Sequence, residues 1–169
     1  INSKPNQITK AWELNERHYG ELTGLNKDQM KKVYGEKKIH IFRRSWNMSP
    51  APLNKNNPYH PLNIEIYKNI PRDKIPDTES LKDTYERVIY YYLKNIEPLI
   101  QNGQNVLISA HGNTLRALCK KLFNISDKNI ARLEIPTGNP LLIKFKNNLK
   151  IDGCRYLDSS RSKDLLVKF

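Results

Sequence analysis

Apolar residues recur at three- and four-residue intervals through Leu81, Tyr85, Val88, Ile89, Tyr92, Leu93 and Ile96, the stripe of a helix with one face in a core. Thr78 or Ser80 is placed to cap its start, and Gly103 lies just past its end. A short unbroken apolar run, Val106 to Ser109, then reads as a buried strand. It breaks at His111-Gly112 into a second helical pattern, in which Leu115, Leu118, Cys119 and Leu122 form an apolar face. Ser126 caps a further short helix, and Leu141 to Phe145 and Ile151 to Tyr156 read as late strands joined through Asn147-Asn148. Helix, strand, helix and strand in alternation argue for an α/β protein.

The pattern is weaker toward the start of the chain. Trp12 to Leu14 reads as a short strand leading into Asn15-Glu16-Arg17-His18-Tyr19-Gly20. Asn26 or Asp28 caps a helix that runs to about Tyr34 and stops at Gly35, and Glu36 to Trp46 is helical or mixed. From Ser49 to Pro76 the chain is polar and punctuated by Pro50, Pro52, Pro58, Pro61 and Pro71. So long a connection is a lid or a binding loop, or else simply disordered. The 169 residues show no repeat and suit one domain over residues 1–169. Ile1 to Gln7 resembles a polar connector entered midway, so the chain is expected to be a fragment or a processed product.

Composition narrows the partners. No apolar run approaches the ~20 residues that cross a bilayer, and no signal-peptide pattern opens the chain. A soluble, cytoplasmic protein with no membrane partner is expected. The net charge of +12 favours polyanions in general. Yet the lysines are strewn along the chain, without zinc-finger spacing, an RRM or KH signature, or interleaved stacking aromatics. Nucleic acid is therefore not an expected partner. Cys119 and Cys154 lie far apart without metal-ligand spacing, and Cys119, on the apolar side of its helix, reads as a buried reduced thiol. His18, His40, His60 and His111 lack metal-ligand spacing, so no metal is expected.

Three features carry candidate chemistry. At His111-Gly112 a strand meets the mouth of a helix, where backbone N–H groups and the dipole favour an anion, although a satisfied turn histidine is the plainer alternative. Arg43-Arg44 is a guanidinium pair, either a clamp for phosphate or carboxylate oxygens or ordinary surface charge. Glu16 stands beside Arg17 and His18 and is either an ion-pair partner or a general acid/base. With no Walker-type loop, these residues alone give an anion-binding α/β protein acting on a small phosphorylated metabolite.

Longer motifs sharpen this. Leu14-Asn15-Glu16-Arg17-His18-Tyr19-Gly20-Glu21-Leu22-Thr23-Gly24-Leu25-Asn26-Lys27 and Arg43-Arg44-Ser45 are followed by Thr78-Glu79-Ser80-Leu81-Lys82-Asp83-Thr84, Ala110-His111-Gly112-Asn113 with Leu115-Arg116-Ala117-Leu118, and Ile135-Pro136-Thr137-Gly138. In this order, from Trp12 to about Phe145, the chain closely resembles the cofactor-dependent phosphoglycerate mutase family of the histidine phosphatase superfamily. The resemblance implies a three-layer sandwich with a mostly parallel central sheet flanked by helices. It implies an isomerase of glycolysis and gluconeogenesis that interconverts 2-phosphoglycerate and 3-phosphoglycerate through a phosphohistidine. The implied primer is 2,3-bisphosphoglycerate, with no metal, and the implied assembly is a homo-oligomer, dimer or tetramer. By motif, His111 would steady the phosphoryl group in flight and Glu16 would move the substrate hydroxyl proton. Gly112 and Asn113 would contact the phosphoryl group, and Tyr19, Lys27, Arg43 and Arg44 would hold the substrate carboxylate and phosphate.

One departure from the family pattern stands out. The family's phosphorylated histidine lies in an Arg-His-Gly motif on the first strand, and these 169 residues contain no Arg-His-Gly. By that comparison roughly the N-terminal third of the domain, with its first strand, is expected to be missing, and the chain by itself is expected to be inactive. Asn139 stands where the family usually has an apolar residue, and Pro58-Tyr59-His60-Pro61 is also altered. Two alternatives accompany the mutase reading. One is a bisphosphoglycerate mutase or phosphatase of the same superfamily, and the other a degenerate, non-catalytic anion-binding remnant.

Overall fold

Ser80 starts the central helix by a reciprocal cap, its Oγ accepting from Asp83 N–H while the Asp83 carboxylate accepts from Ser80 N–H at 2.8 Å. In this computed structural model, which describes residues 8–162, that helix is one of six. They are α1 (Lys27–Tyr34), α2 (Glu36–Arg44), α3 (Leu81–Tyr91), α4 (Glu97–Gln101), α5 (Gly112–Leu122) and α6 (Asp127–Ile130). Strands β1 (Leu141–Phe145) and β2 (Ile151–Tyr156) pair antiparallel, Leu141 opposite Tyr156. The connector Ile1 to Gln7 lies outside the described residues, as does the tail from residue 163 onward.

The core lies between α3 and α5. Leu81, Val88, Ile89, Tyr92 and Ile96 from the first stripe meet Ala117, Leu118 and Cys119, with Ile130 and Leu133 closing the end. Leu93, counted in the stripe, is exposed. It sits ~100° around the helix from Tyr92, on the flank of the apolar arc. Between α3 and α4 the helix widens to a π turn over Tyr92–Ile96, just before Pro98, whose ring cannot donate the next helical bond. Burial pushes the Cys119 thiol up to about 12, and both cysteines are free.

Two expected strands are not strands here. Trp12–Leu14 is a 3-10 turn closed by Asn15 N–H to Trp12 O at 2.9 Å. Val106 to Ser109 joins no ladder among the described residues, and Leu107 is 77% exposed. A ladder needs a neighbouring strand within ~4.8 Å, and none of the described residues supplies one. What the described residues form is thus a set of helices with one small antiparallel sheet, an α/β composition without the parallel sheet.

Elsewhere local chemistry decides. Asn26 caps α1 through Asp28 N–H, and Gly35 (φ 79°) separates α1 from α2. Ser126 caps α6, and Asn148 accepts from Lys150 N–H in the turn between β1 and β2. The proline-rich stretch is ordered into 3-10 turns over Pro61–Asn63, Glu65–Tyr67 and Arg72–Lys74. Asn139, the departure from the family pattern, clasps Asp158 twice, donating to its carbonyl at 2.8 Å and accepting from its N–H at 3.0 Å. It thereby ties the entry to β1 to the end of β2.

Candidate active site

The segment that carries Glu16 has no ladder of its own, so side chains from α3 hold it. Arg87 donates through Nη1 to the carbonyls of Glu13 (2.6 Å) and Asn15 (3.0 Å), and through Nη2 to that of Glu16 (3.2 Å). Its Nε and Nη2 also grip the Glu79 carboxylate, which in turn accepts from His18 N–H at 2.8 Å. From the other side, Thr114 of α5 donates to Asn15 O at 2.7 Å. Glu13, Asn15, Glu16 and His18 are thus each fixed at the backbone, which fixes where the side chains of the segment go.

The Glu16 carboxylate consequently meets the start of α5. Its Oε1 accepts from Asn113 Nδ2 at 2.6 Å, and its Oε2 lies 4.0 Å from His111 Nδ1. Asn113 Nδ2 also donates to Tyr19 OH at 2.8 Å. Glu16, Tyr19, Arg43 and His111 line one cavity of about 530 Å³, with His111 at its exposed rim. Tyr59, Ile64, Tyr67 and Ile75 of the proline-rich stretch cover its far side.

Arg17 also lines this cavity and was not singled out by the sequence reading. It is 2% exposed, donates through Nη2 to Phe42 O, and stacks its guanidinium 4.6 Å from the Tyr19 ring centroid. Its Nε and Nη1 are buried and find no partner among the described residues. A buried cation with two idle donors is costly unless an anion completes it. Its place between Glu16 and His18 was the available signal.

Two further polar units adjoin the cavity, one of them through His18, which lines it. His60, wholly buried, accepts from Leu62 N–H at Nδ1, so its Nε2 carries the hydrogen given to Asp77 Oδ1 at 3.1 Å. The His18 ring sits 5.8 Å from that of His60 and accepts from Gly20 N–H at Nδ1. Burial, reinforced by His60, holds His18 below the ordinary histidine pKa. Arg116, on α5, donates to Asn113 Oδ1 (3.1 Å), Ile130 O (2.6 Å) and Arg43 O (3.4 Å). Burial first, then Arg44 and Arg17, lowers it to about 10.

The remaining expected residues distribute unevenly. Gly112 and Asn113 form the first turn of α5, Asn113 buried and Gly112 exposed. Arg44 is turned to Glu134, Nη2 to Oε1 at 2.7 Å, and does not line the cavity, so the tandem pair is divided between two tasks. Consecutive helical residues point ~100° apart, which explains the split. Lys27 opens α1, and its side chain lies outside the described residues. Among the described residues no cluster of His, Cys, Asp or Glu is arranged to hold a metal, and no helix is long and apolar enough to cross a membrane.

A sequence profile of the histidine phosphatase superfamily (branch 1) matches residues 54–150. The chain is 64% identical over 158 residues to a 2,3-bisphosphoglycerate-dependent phosphoglycerate mutase of Pelagibacter ubique, covering 94% of this chain and 66% of that protein. Proteins of the same name from Maricaulis maris and Hyphomonas neptunium are 44% and 48% identical, each over 94% of this chain and 65% of their own length. The chain therefore spans just under two thirds of these relatives.

Proposed function

We propose, for a chain that belongs to the histidine phosphatase superfamily, that it serves a phosphoglycerate mutase, interconverting 2-phosphoglycerate and 3-phosphoglycerate with 2,3-bisphosphoglycerate as primer. The observation that carries this reading is the pairing of Glu16 with His111 at 4.0 Å on the rim of a cavity lined by the half-satisfied Arg17 guanidinium. The donor set fits the primer, whose phosphates and carboxylate are all anionic. Arg17 has two free donors for such oxygens, and Arg43 lines the same wall.

In this reading Arg17, Arg43, Lys27 and Tyr19 bind and orient the anionic groups, with Arg44 supporting them electrostatically from its pair with Glu134. A transferring phosphoryl group is mostly dispersed negative charge, so fixed cations and N–H donors supply most of the catalysis. His111 and the first backbone N–H groups of α5, at Gly112 and Asn113, stabilise that charge. Glu16 takes the proton of the attacking hydroxyl and returns it in the reverse direction. The tertiary proposal that accompanies this is the superfamily's three-layer sandwich, with Val106 to Ser109 as one strand of a mostly parallel sheet. We also propose a cytoplasmic homo-oligomer, the usual setting for such an enzyme.

The test is an assay of the protein as its gene encodes it, with 3-phosphoglycerate, with and without 2,3-bisphosphoglycerate. Primer-dependent formation of 2-phosphoglycerate is expected, with kcat falling at least ~100-fold in Glu16→Gln and His111→Ala. Folded protein that releases inorganic phosphate without interconversion would establish the phosphatase alternative instead. Binding of phosphoglycerates with neither reaction would leave the anion-binding remnant.

A further inference from the structure

Arg116 lies deep behind the candidate active site and does not line its cavity, yet two of its three acceptors, Asn113 Oδ1 and Arg43 O, belong to residues of that site. Resting on the mutase reading, we propose that Arg116 is a positioning residue that fixes the Asn113 side-chain amide, and through it the Glu16 carboxylate.

A side-chain amide is nearly symmetrical in shape, and only its hydrogen-bond partners decide which end is oxygen. Arg116 has donors only. By giving Nη1–H to Asn113 Oδ1 at 3.1 Å it fixes the oxygen on its own side. Nδ2 must then face Glu16 Oε1 at 2.6 Å and Tyr19 OH at 2.8 Å. With the amide reversed, two oxygens would oppose each other at the Glu16 contact and the carboxylate would leave its place beside His111. The second guanidinium nitrogen, on Ile130 O, keeps the fork from rotating, and the contact to Arg43 O ties the end of α2 to the same anchor. Among the described residues no carboxylate lies within 4 Å of Arg116. Such a buried cation contributes little to stability by charge pairing, whereas it defines the direction of three hydrogen bonds.

The experiment compares Arg116→Met and Arg116→Lys with the parent protein. The first readout is the Asn113 side-chain amide signal in nitrogen-15 NMR, identified by its loss in Asn113→Asp. In the parent this pair should be shifted and slow to exchange with solvent. In Arg116→Met it should move to the position of a solvent-exposed amide, and in Arg116→Lys it should move partway. The second readout is steady-state kinetics, with kcat falling ~10-fold or more in Arg116→Met while KM changes less than ~3-fold. Arg116→Lys should recover part of that loss. Folded variants whose amide signal and kcat both match the parent overturn the inference. Should Arg116→Met fail to fold, Arg116→Lys decides by the same two readouts. A parent protein that lacks mutase activity in the form its gene encodes sinks the mutase reading, and the NMR comparison then judges Arg116 alone.

Discussion

The guanidinium of Arg87 is closed on the carboxylate of Glu79, Nε to Oε1 at 2.7 Å and Nη2 to Oε2 at 2.9 Å. Both side chains are largely buried, and the remaining Arg87 donors hold the backbone that presents Glu16. Truncating either partner strands the other's charge, and truncating Arg87 also frees three carbonyls. Arg87→Met should therefore cost about 3–5 kcal/mol in urea unfolding. The double variant with Glu79→Met should cost clearly less than the sum of the two single variants. Simple additivity would mean that the pair is not coupled.

Arg17 sets binding against stability. Two of its nitrogens are buried without partners among the described residues, so Arg17→Met should raise the melting temperature while weakening phosphoglycerate binding. Losing charge-assisted hydrogen bonds worth about 1.5–3 kcal/mol corresponds to a KM raised roughly 10- to 100-fold. A variant with unchanged KM would remove Arg17 from the binding site.

Stability should fall as the pH is lowered below about 6.5, with His18 contributing to the fall. Its folded-state pKa is depressed by burial and by His60, so the unfolded chain takes up its proton first. The contribution is fully present above the unfolded pKa and is lost as the pH drops through it toward the lower folded value. His18→Gln should flatten the dependence of the unfolding midpoint between pH 7 and 5. A slope identical to the parent's would assign the effect to other groups.

Gly20 has no room for a side chain. It adopts φ +54°, and an added Cβ would come within 2.1 Å of Ala51 O, the acceptor of Glu21 N–H. Gly20→Ala should destabilise by more than about 2 kcal/mol, since it combines a disfavoured dihedral with a backbone clash. At Gly35, where φ is also positive but nothing lies within 4 Å, the same substitution should cost the backbone strain alone, about 1–3 kcal/mol, and less than at Gly20. Equal losses at the two sites would show that the clash at Gly20 is relieved.

Ser80 and Asp83 each satisfy the other's backbone N–H at the start of α3. Ser80→Ala should cost about 1 kcal/mol, measured by thermal unfolding. The loss should shrink in an Asp83→Ala background, where the reciprocal half of the cap is already gone.

Local chemistry was legible in the sequence wherever a short-range rule governs it. The α3 stripe, the Asn26 and Ser126 caps, the break at Gly35 and the β1–β2 hairpin depend on neighbours a few residues apart, and they stand where the pattern places them. The motifs around Glu16 and His111 were equally visible, because residue identity and order are one-dimensional facts. Only the tertiary structure could decide which of these side chains share a wall. Glu16 and Asn113 are ninety-seven residues apart and meet at 2.6 Å, while the neighbours Arg43 and Arg44 are separated onto different tasks by the helical turn. It also decided that Trp12–Leu14 is a turn and that Val106 to Ser109 joins no ladder among the described residues. An apolar run specifies that a segment is suited to be a strand, but a strand exists only where another chain segment accepts its hydrogen bonds. Buried polar residues such as Arg17, His60 and Arg116 escaped the pattern for the same reason, since each takes a partner well along the chain, Phe42, Asp77 and Ile130 respectively.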